Sequence, residues 1–268
     1  MIPAPPQPEL TSFTSREALG AYVARLAPWL EPSALSPHRG GRCAADVRLV
    51  SIEPTRYART RNHIEGAVTG LSPYIRHGIV SLKEVHEHAL ERVEEPKEAE
   101  KLIQELAWRD YWQRVYDAHP EWVWQDVEPY KTGWAPSDYA EELDEDIARG
   151  DTGVACIDHF IRTLLETGYL HNHARMYVAS YVVHWRRVRW QAGARWFHHH
   201  LIDGDPASNN LSWQWVASTF SRKPYIFNLD NVRRYSGDGV DTSSANNQCL
   251  DDTYEALTTR LFPHGVTL

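Results

Sequence analysis

Cysteine, sulfur-bearing side chains generally, and long apolar runs are scarce in this 268-residue chain, which holds 3 Cys and 2 Met. The cysteines, Cys43, Cys156 and Cys249, form no CxxC and leave an odd number. That excludes a disulfide framework or a four-cysteine cluster and points to a reduced, cytoplasmic setting. No stretch approaches the ~20 apolar residues of a membrane helix. The Pro-rich start, Met1 to Leu10, lacks the basic-then-apolar order of an export signal, so no membrane partner is expected. There is no GxGxxG turn after a strand pattern, no Walker loop, no HExxH, no GxSxG and no internal repeat. Positive charge is also short, with 28 Lys and Arg against 36 Asp and Glu for a net charge of -8. Any nucleic-acid contact therefore needs a local basic patch on an acidic body.

What the chain has in surplus is aromatic: 11 Trp and 13 Tyr within a 42% hydrophobic composition. Such a surplus serves either helix packing or work that needs stacking and electrons. Apolar spacing predicts mostly helix. Residues 1–14 read as an extended lead-in, followed by an amphipathic helix from about Ser15 to Trp29 with Leu19, Tyr22, Val23 and Leu26 on one face, ended by Pro28 and Pro32. Ser33 to Arg61 reads as loop with a short strand at Val47–Ile52. Helices follow over Leu82–Val93, Glu98–His119 and Val154–Leu165, the last stopped by Gly168. Further helices are expected over Asn172–Trp190, Ala192–Leu201 and Asp251–Leu261. The expected fold class is all-α, and the acidic run from Glu141 to Asp146 reads as a solvated face.

Chemistry concentrates in LIDGDPASNNLSWQW, residues 201–215. Two Asp, two Asn, a Gly and a Pro make a polar loop, with Asx-type capping of a helix that begins near Asn210. Upstream, Arg175 falls near a helix start, where its charge opposes the dipole and calls for a carboxylate partner, either Asp203 or Asp205. The adjacent His198, His199 and His200 point about 100° apart on a helix, and His171 and His173 face opposite ways for the same reason, so no metal site is expected.

GYLHNHARM (168–176) followed by LIDGDPASNNLSWQW resembles the flavin core of the photolyase and cryptochrome family. ELAWRDYW (105–112), GVACIDHFIRTLLETG (153–168) and LSPYIRHGIVS (71–81) fall in the same order, so the resemblance covers about Tyr57 to Asn228. It implies an all-helical domain over 57–268 that binds FAD, after an N-terminal extension over 1–56 with one helix and without the family's antenna domain. It implies that Asn209 faces flavin N5, that Asp203, Gly204 and Asp205 line the isoalloxazine with Arg175 paired to Asp203, and that Arg109 lies on the flavin side of its helix. Tyr57, Thr69, Gly70, Leu71 and Ser72 match the loop around the FAD phosphates. Glu105, Trp108, Asn172, Met176 and Trp215 match the pocket for a cyclobutane pyrimidine dimer in damaged DNA, with Glu105 acting in catalysis. Trp213 and Trp190 match the first two members of a tryptophan relay.

The activity so implied is that of a deoxyribodipyrimidine photo-lyase, a blue-light-driven carbon–carbon lyase using reduced FAD. The alternatives are a cryptochrome-like photosensor and a flavoprotein acting on another substrate. The sequence departs from the family pattern twice. The phosphate loop, usually Thr-Ser-Arg-Leu-Ser, reads Val68-Thr69-Gly70-Leu71-Ser72 without a basic residue, so either FAD is held more weakly or Arg61 or Arg76 substitutes. The third relay position aligns with Ile147, so either Trp185, Trp134 or Tyr181 ends the relay or photoreduction is inefficient.

Overall fold

The computed structural model describes residues 12–29 and 35–266. Most of the extended lead-in, and Pro32 as a helix stop, lie outside the described residues. The chain divides into two compact units, Met1–His38 and Arg39–Leu268. In the smaller one, α1 (Arg16–Leu26) is capped by Ser15, whose hydroxyl accepts from the Ala18 N–H at 3.1 Å. Its expected apolar face stays open, since Leu19, Val23 and Leu26 are all exposed.

The larger unit begins with a difference from the sequence reading. Residues Arg42–Val50 form a helix, α2, where a strand was expected at 47–52. Ala45 and Leu49, four apart, bury together, while the β-branched Val47 and Val50 that suggested a strand face solvent. A second helix, α3 (Pro54–Thr60), starts on a proline at its first position and also lies in the segment read as loop. Residues 1–56 thus carry more than the one helix expected, and the 56/57 division runs through α3. Then come α4 (Ser72–Arg76), α5 (Leu82–Leu90) with a capping box between Ser81 and Glu84, and the long α6 (Glu100–Ala118).

The acidic run leads into α7 (Glu145–Arg149), and it is not merely solvated: Asp144 and Asp146 hold Arg186 at 2.5 and 2.7 Å. After α8 (Ala155–Thr167), Gly168 takes a left-handed φ of +70° and ends the helix. The helix expected from Asn172 to Trp190 is broken. It runs as α9 (Asn172–Ser180), loosens into a π turn over Tyr181–Trp185, and stops where Arg187 adopts φ +49°. Trp190 therefore opens the next helix, α10 (Trp190–His200), instead of closing the previous one. The helix placed near Asn210 begins earlier, as α11 (Pro206–Ala217), because Asp205 caps it and Pro206 fits its first position. Two more follow: α12 (Leu229–Ser236), which the sequence reading did not include, and α13 (Tyr254–Leu261).

Helices α8 to α11 build the main core, with Phe160, Ile161, Tyr177, Trp190, Phe197 and Trp213 buried among one another. A second cluster joins Leu49, Leu71, Val85 and Leu102, which fixes α2 beside the 67–72 loop. Among the described residues the only pairing of extended backbone is an isolated bridge between Ala140 and Val188, so the fold is all-helical. No helix among them is long and apolar enough to cross a membrane.

Candidate functional site

The turn between α10 and α11 is held from several sides. Ile202 N–H donates to the Gly168 carbonyl at 2.8 Å, and Gly204 N–H donates to Leu201 at 3.0 Å. A Cβ on Gly204 would stand 3.0 Å from the His198 carbonyl oxygen and 3.1 Å from that of Leu201, so this close backbone approach favours glycine. From α4, Arg76 Nε donates to the Gly204 carbonyl at 2.6 Å, and a ring nitrogen of His77 lies 2.9 Å from that of Ile202.

Two carboxylates are fixed in this turn. Asp203 is buried, and Arg175 Nη2 donates to both its oxygens, at 3.0 and 2.8 Å, while Arg175 Nε holds the Leu170 carbonyl. Burial alone would raise the Asp203 pKa, but the Arg175 charge and hydrogen bonds from Arg175 and Ser72 outweigh it, so the carboxyl is held below its ordinary value. Asp205 accepts from the Ser208 N–H at 3.0 Å and from Gln113 Nε2 at 2.7 Å, and these bonds likewise outweigh its burial to lower its pKa. Arg109, on α6, lies within electrostatic reach of both acids, although burial lowers its own pKa. Of the two partners open to Arg175, the structure selects Asp203, because Asp205 is spent on the cap.

Asn209 donates its amide nitrogen to the Ala194 carbonyl at 3.0 Å and to Asn210 Oδ1 at 2.9 Å, leaving its own carbonyl oxygen without a donor among the described residues. In the 69–72 loop, Thr69 Oγ1 accepts from Leu71 N–H at 3.3 Å, Leu71 is fully buried, and Gly70 has φ +60°. Tyr57 is half-buried on α3, near Glu105 and Arg61, and burial raises its phenol pKa.

The other assigned residues split by environment. Glu105 is held by Lys101 Nζ at 3.0 Å and Arg61 Nη1 at 3.2 Å. Arg61 is thereby committed to Glu105, and Arg76 to Gly204, so neither candidate for the missing loop arginine is unengaged. Trp108 is 52% and Trp215 41% exposed, large for tryptophan. Trp108 stacks on Trp112 at 5.6 Å, and Trp215 tilts on Tyr225 at the same centroid distance. Asn172 and Met176 sit one turn apart on α9, with Asn172 Nδ2 3.7 Å from the sulfur. Trp213 is buried, its ring edge against Gly193 and its indole nitrogen without a partner. Trp190 is fully buried and donates to Asp126 Oδ1 at 2.6 Å. Ile147, which the resemblance aligns with a third relay position, is buried in the core. A cavity of about 570 Å³ near Asp158, His159, Arg162 and Asp241 shares no lining residue with this set.

The family model for the FAD binding domain of DNA photolyase matches residues 102–241. The chain belongs to that family. The deoxyribodipyrimidine photo-lyase of Halobacterium salinarum is 30% identical over 257 residues, covering 88% of this chain and 53% of the relative. That of Alkalihalophilus pseudofirmus is 34% identical over 183 residues, covering 65% of this chain and 38% of the relative. Among solved structures, a class III photolyase from Agrobacterium tumefaciens superposes with TM-score 0.65 at 25% identity, over 89% of this chain and 50% of that one. An archaeal photolyase from Sulfolobus tokodaii containing two FAD molecules gives 0.64 at 25% identity, over 92% and 56%. The chain thus spans about half or less of the length of these curated relatives.

The photolyase-type residues fit an FAD. The fixed Arg175–Asp203 pair, the open carbonyl of Asn209 and the loop hydroxyl of Thr69 offer the mixed donor and acceptor set that a flavin and its phosphates need. Sequence reasoning missed Gln113, which braces Asp205, and Asp126, which binds Trp190. It also missed Arg48, whose guanidinium lies against Gly70. No motif marks these three, because each reaches its partner across a long sequence gap.

Proposed function

We propose that the chain binds FAD through residues of the 69–72 loop and the 203–209 turn, and that it splits cyclobutane pyrimidine dimers in DNA under blue light. The observation that carries this reading is one helix face. Glu105, Trp108, Arg109 and Trp112 recur on α6 at helical spacing, so the arginine reaches toward Asp203 and Asp205 while Trp108 stays exposed as a stacking surface. Reduced FAD, when bound, supplies under light the electron that opens the cyclobutane ring.

The chain's own residues do the rest. Trp108 and Trp215 stack on the flipped bases, Glu105 and Asn172 hydrogen-bond their edges, and Met176 fills the remaining space. The ammonium of Lys101 and the guanidinium of Arg61 hold the Glu105 carboxylate in place before substrate arrives. Trp213 and Trp190 form the inner part of an electron relay. DNA attraction falls to Arg222 and Lys223, both exposed, since Arg186 is committed to Asp144 and Asp146 and Arg187 lies over Trp134. The free cysteines suit the reducing cytoplasm.

The test is light-driven repair of a dimer-containing oligonucleotide. Trp215→Ala loses a stacking wall worth about 1–3 kcal/mol and should bind dimer DNA about tenfold more weakly. Glu105→Gln should lower repair yield more than affinity. Parent protein that carries FAD yet leaves dimers intact would replace this reading with a photosensor or another substrate.

A further inference from the structure

The 68–72 loop contains no basic side chain, yet one stands over it from another element. A Cβ on Gly70 would come within 2.4 Å of Arg48 Nη1 and 3.0 Å of its Cζ. Only glycine leaves the guanidinium this place, and φ +60° at that position favours glycine independently. Arg48 lies on α2 between buried Ala45 and Leu49, so the helix that presents it is anchored in the core beside Leu71.

The Arg48 guanidinium makes no ion pair or side-chain hydrogen bond with any described residue. A planar fork of five donors is suited to oxyanions, and here it is left unused. Its neighbourhood carries surplus positive charge. Tyr169 lies within reach of Arg175, Asp203 and Arg48, and Arg109 within reach of Asp205, Asp203, Arg76 and Arg175. Four arginines thus share the region with two carboxylates, on a chain whose net charge is -8.

We propose that Arg48 clamps the diphosphate of FAD over Gly70, supplying from α2 the charge that the loop itself lacks. The assignment rests on the FAD reading above and goes beyond it, because it names a residue outside the loop, on a different helix.

The flavin-free chain is titrated with FAD and with riboflavin, which shares the ring system but has no phosphate, and binding is followed by flavin fluorescence. Arg48→Ala should weaken FAD by about tenfold to a hundredfold, the scale of one charge-assisted hydrogen-bonded contact. Riboflavin affinity should not change, and the salt dependence of FAD binding should become shallower. Arg48→Lys should recover part of the loss, and Gly70→Ala, which displaces the guanidinium, should reproduce it with Arg48 intact. Far-UV circular dichroism confirms that each variant is folded.

FAD affinity unchanged in Arg48→Ala would overturn the proposal. So would an equal loss of FAD and riboflavin, which marks a purely structural role, or loss of dimer-DNA affinity alone, which assigns the guanidinium to the DNA backbone. A parent chain that binds neither flavin overturns the FAD reading itself, and that result is read from the parent before any variant is compared.

Discussion

Gly193 sits inside α10 without a positive φ, where alanine would ordinarily stabilise a helix by about 0.8–1.0 kcal/mol. The structure reverses that expectation. A Cβ there would stand 2.2 Å from Trp213 Cη2, 2.4 Å from Cζ3 and 3.0 Å from Cζ2. Three atoms of one rigid ring oppose the methyl, and the ring cannot retreat easily, because it is buried and packed edge-on against Phe197 at 4.9 Å. Overpacking of this kind costs about 1–3 kcal/mol, and a contact this short belongs at the upper end, so Gly193→Ala should be destabilising by about 2 kcal/mol net. Trp213→Phe removes the offending ring atoms. In that background Gly193→Ala should instead stabilise by up to about 1 kcal/mol, giving a coupling of about 2–3 kcal/mol. Urea unfolding followed by circular dichroism measures all four corners of the cycle. If Gly193→Ala stabilises the parent, or if the two substitutions are additive, the ring does not occupy the place assigned to it. The place proposed for Trp213 in an electron relay would then lose its support.

His171, His173 and His184 are each lowered from 6.5 to about 4, chiefly by burial. Because the unfolded chain takes up these protons first, stability should be complete above about pH 6.5 and fall on acidification toward pH 4, with a slope of up to about 1.4 kcal/mol per pH unit for each histidine. Urea midpoints across that range check it, and a flat profile refutes it. Trp213→Phe should nearly abolish photoreduction of bound flavin, and Trp190→Phe should slow it strongly. Since the carboxylate of Asp126 stabilises positive charge on Trp190, Asp126→Asn should slow it as well; flavin photoreduction like the parent's in all three variants would refute the relay.

The amino-acid order alone settled the helical class and the dense polar turn. Apolar residues at helical spacing, as at Ile157, Phe160, Ile161 and Leu164, can be buried in only one kind of element, and an Asp-Gly-Asp-Pro run cannot sit inside one. Local chemistry also marked the Gly168 stop and the need of Arg175 for a carboxylate. What it left undecided was every choice between equivalent partners. Asp203 against Asp205 was decided by the cap that Asp205 makes for α11, and the break between α9 and α10 by a left-handed Arg187 held where Val182 accepts the Val188 N–H. The β-branched Val47 and Val50 misled locally, because burial of Ala45 and Leu49 against Leu71 and Val85 outweighed a weak strand preference. That same packing brought Arg48 to Gly70. Only the folded chain decided it, since a contact across such a sequence gap depends on how α2 seats in the core and leaves no period or motif in the residues between.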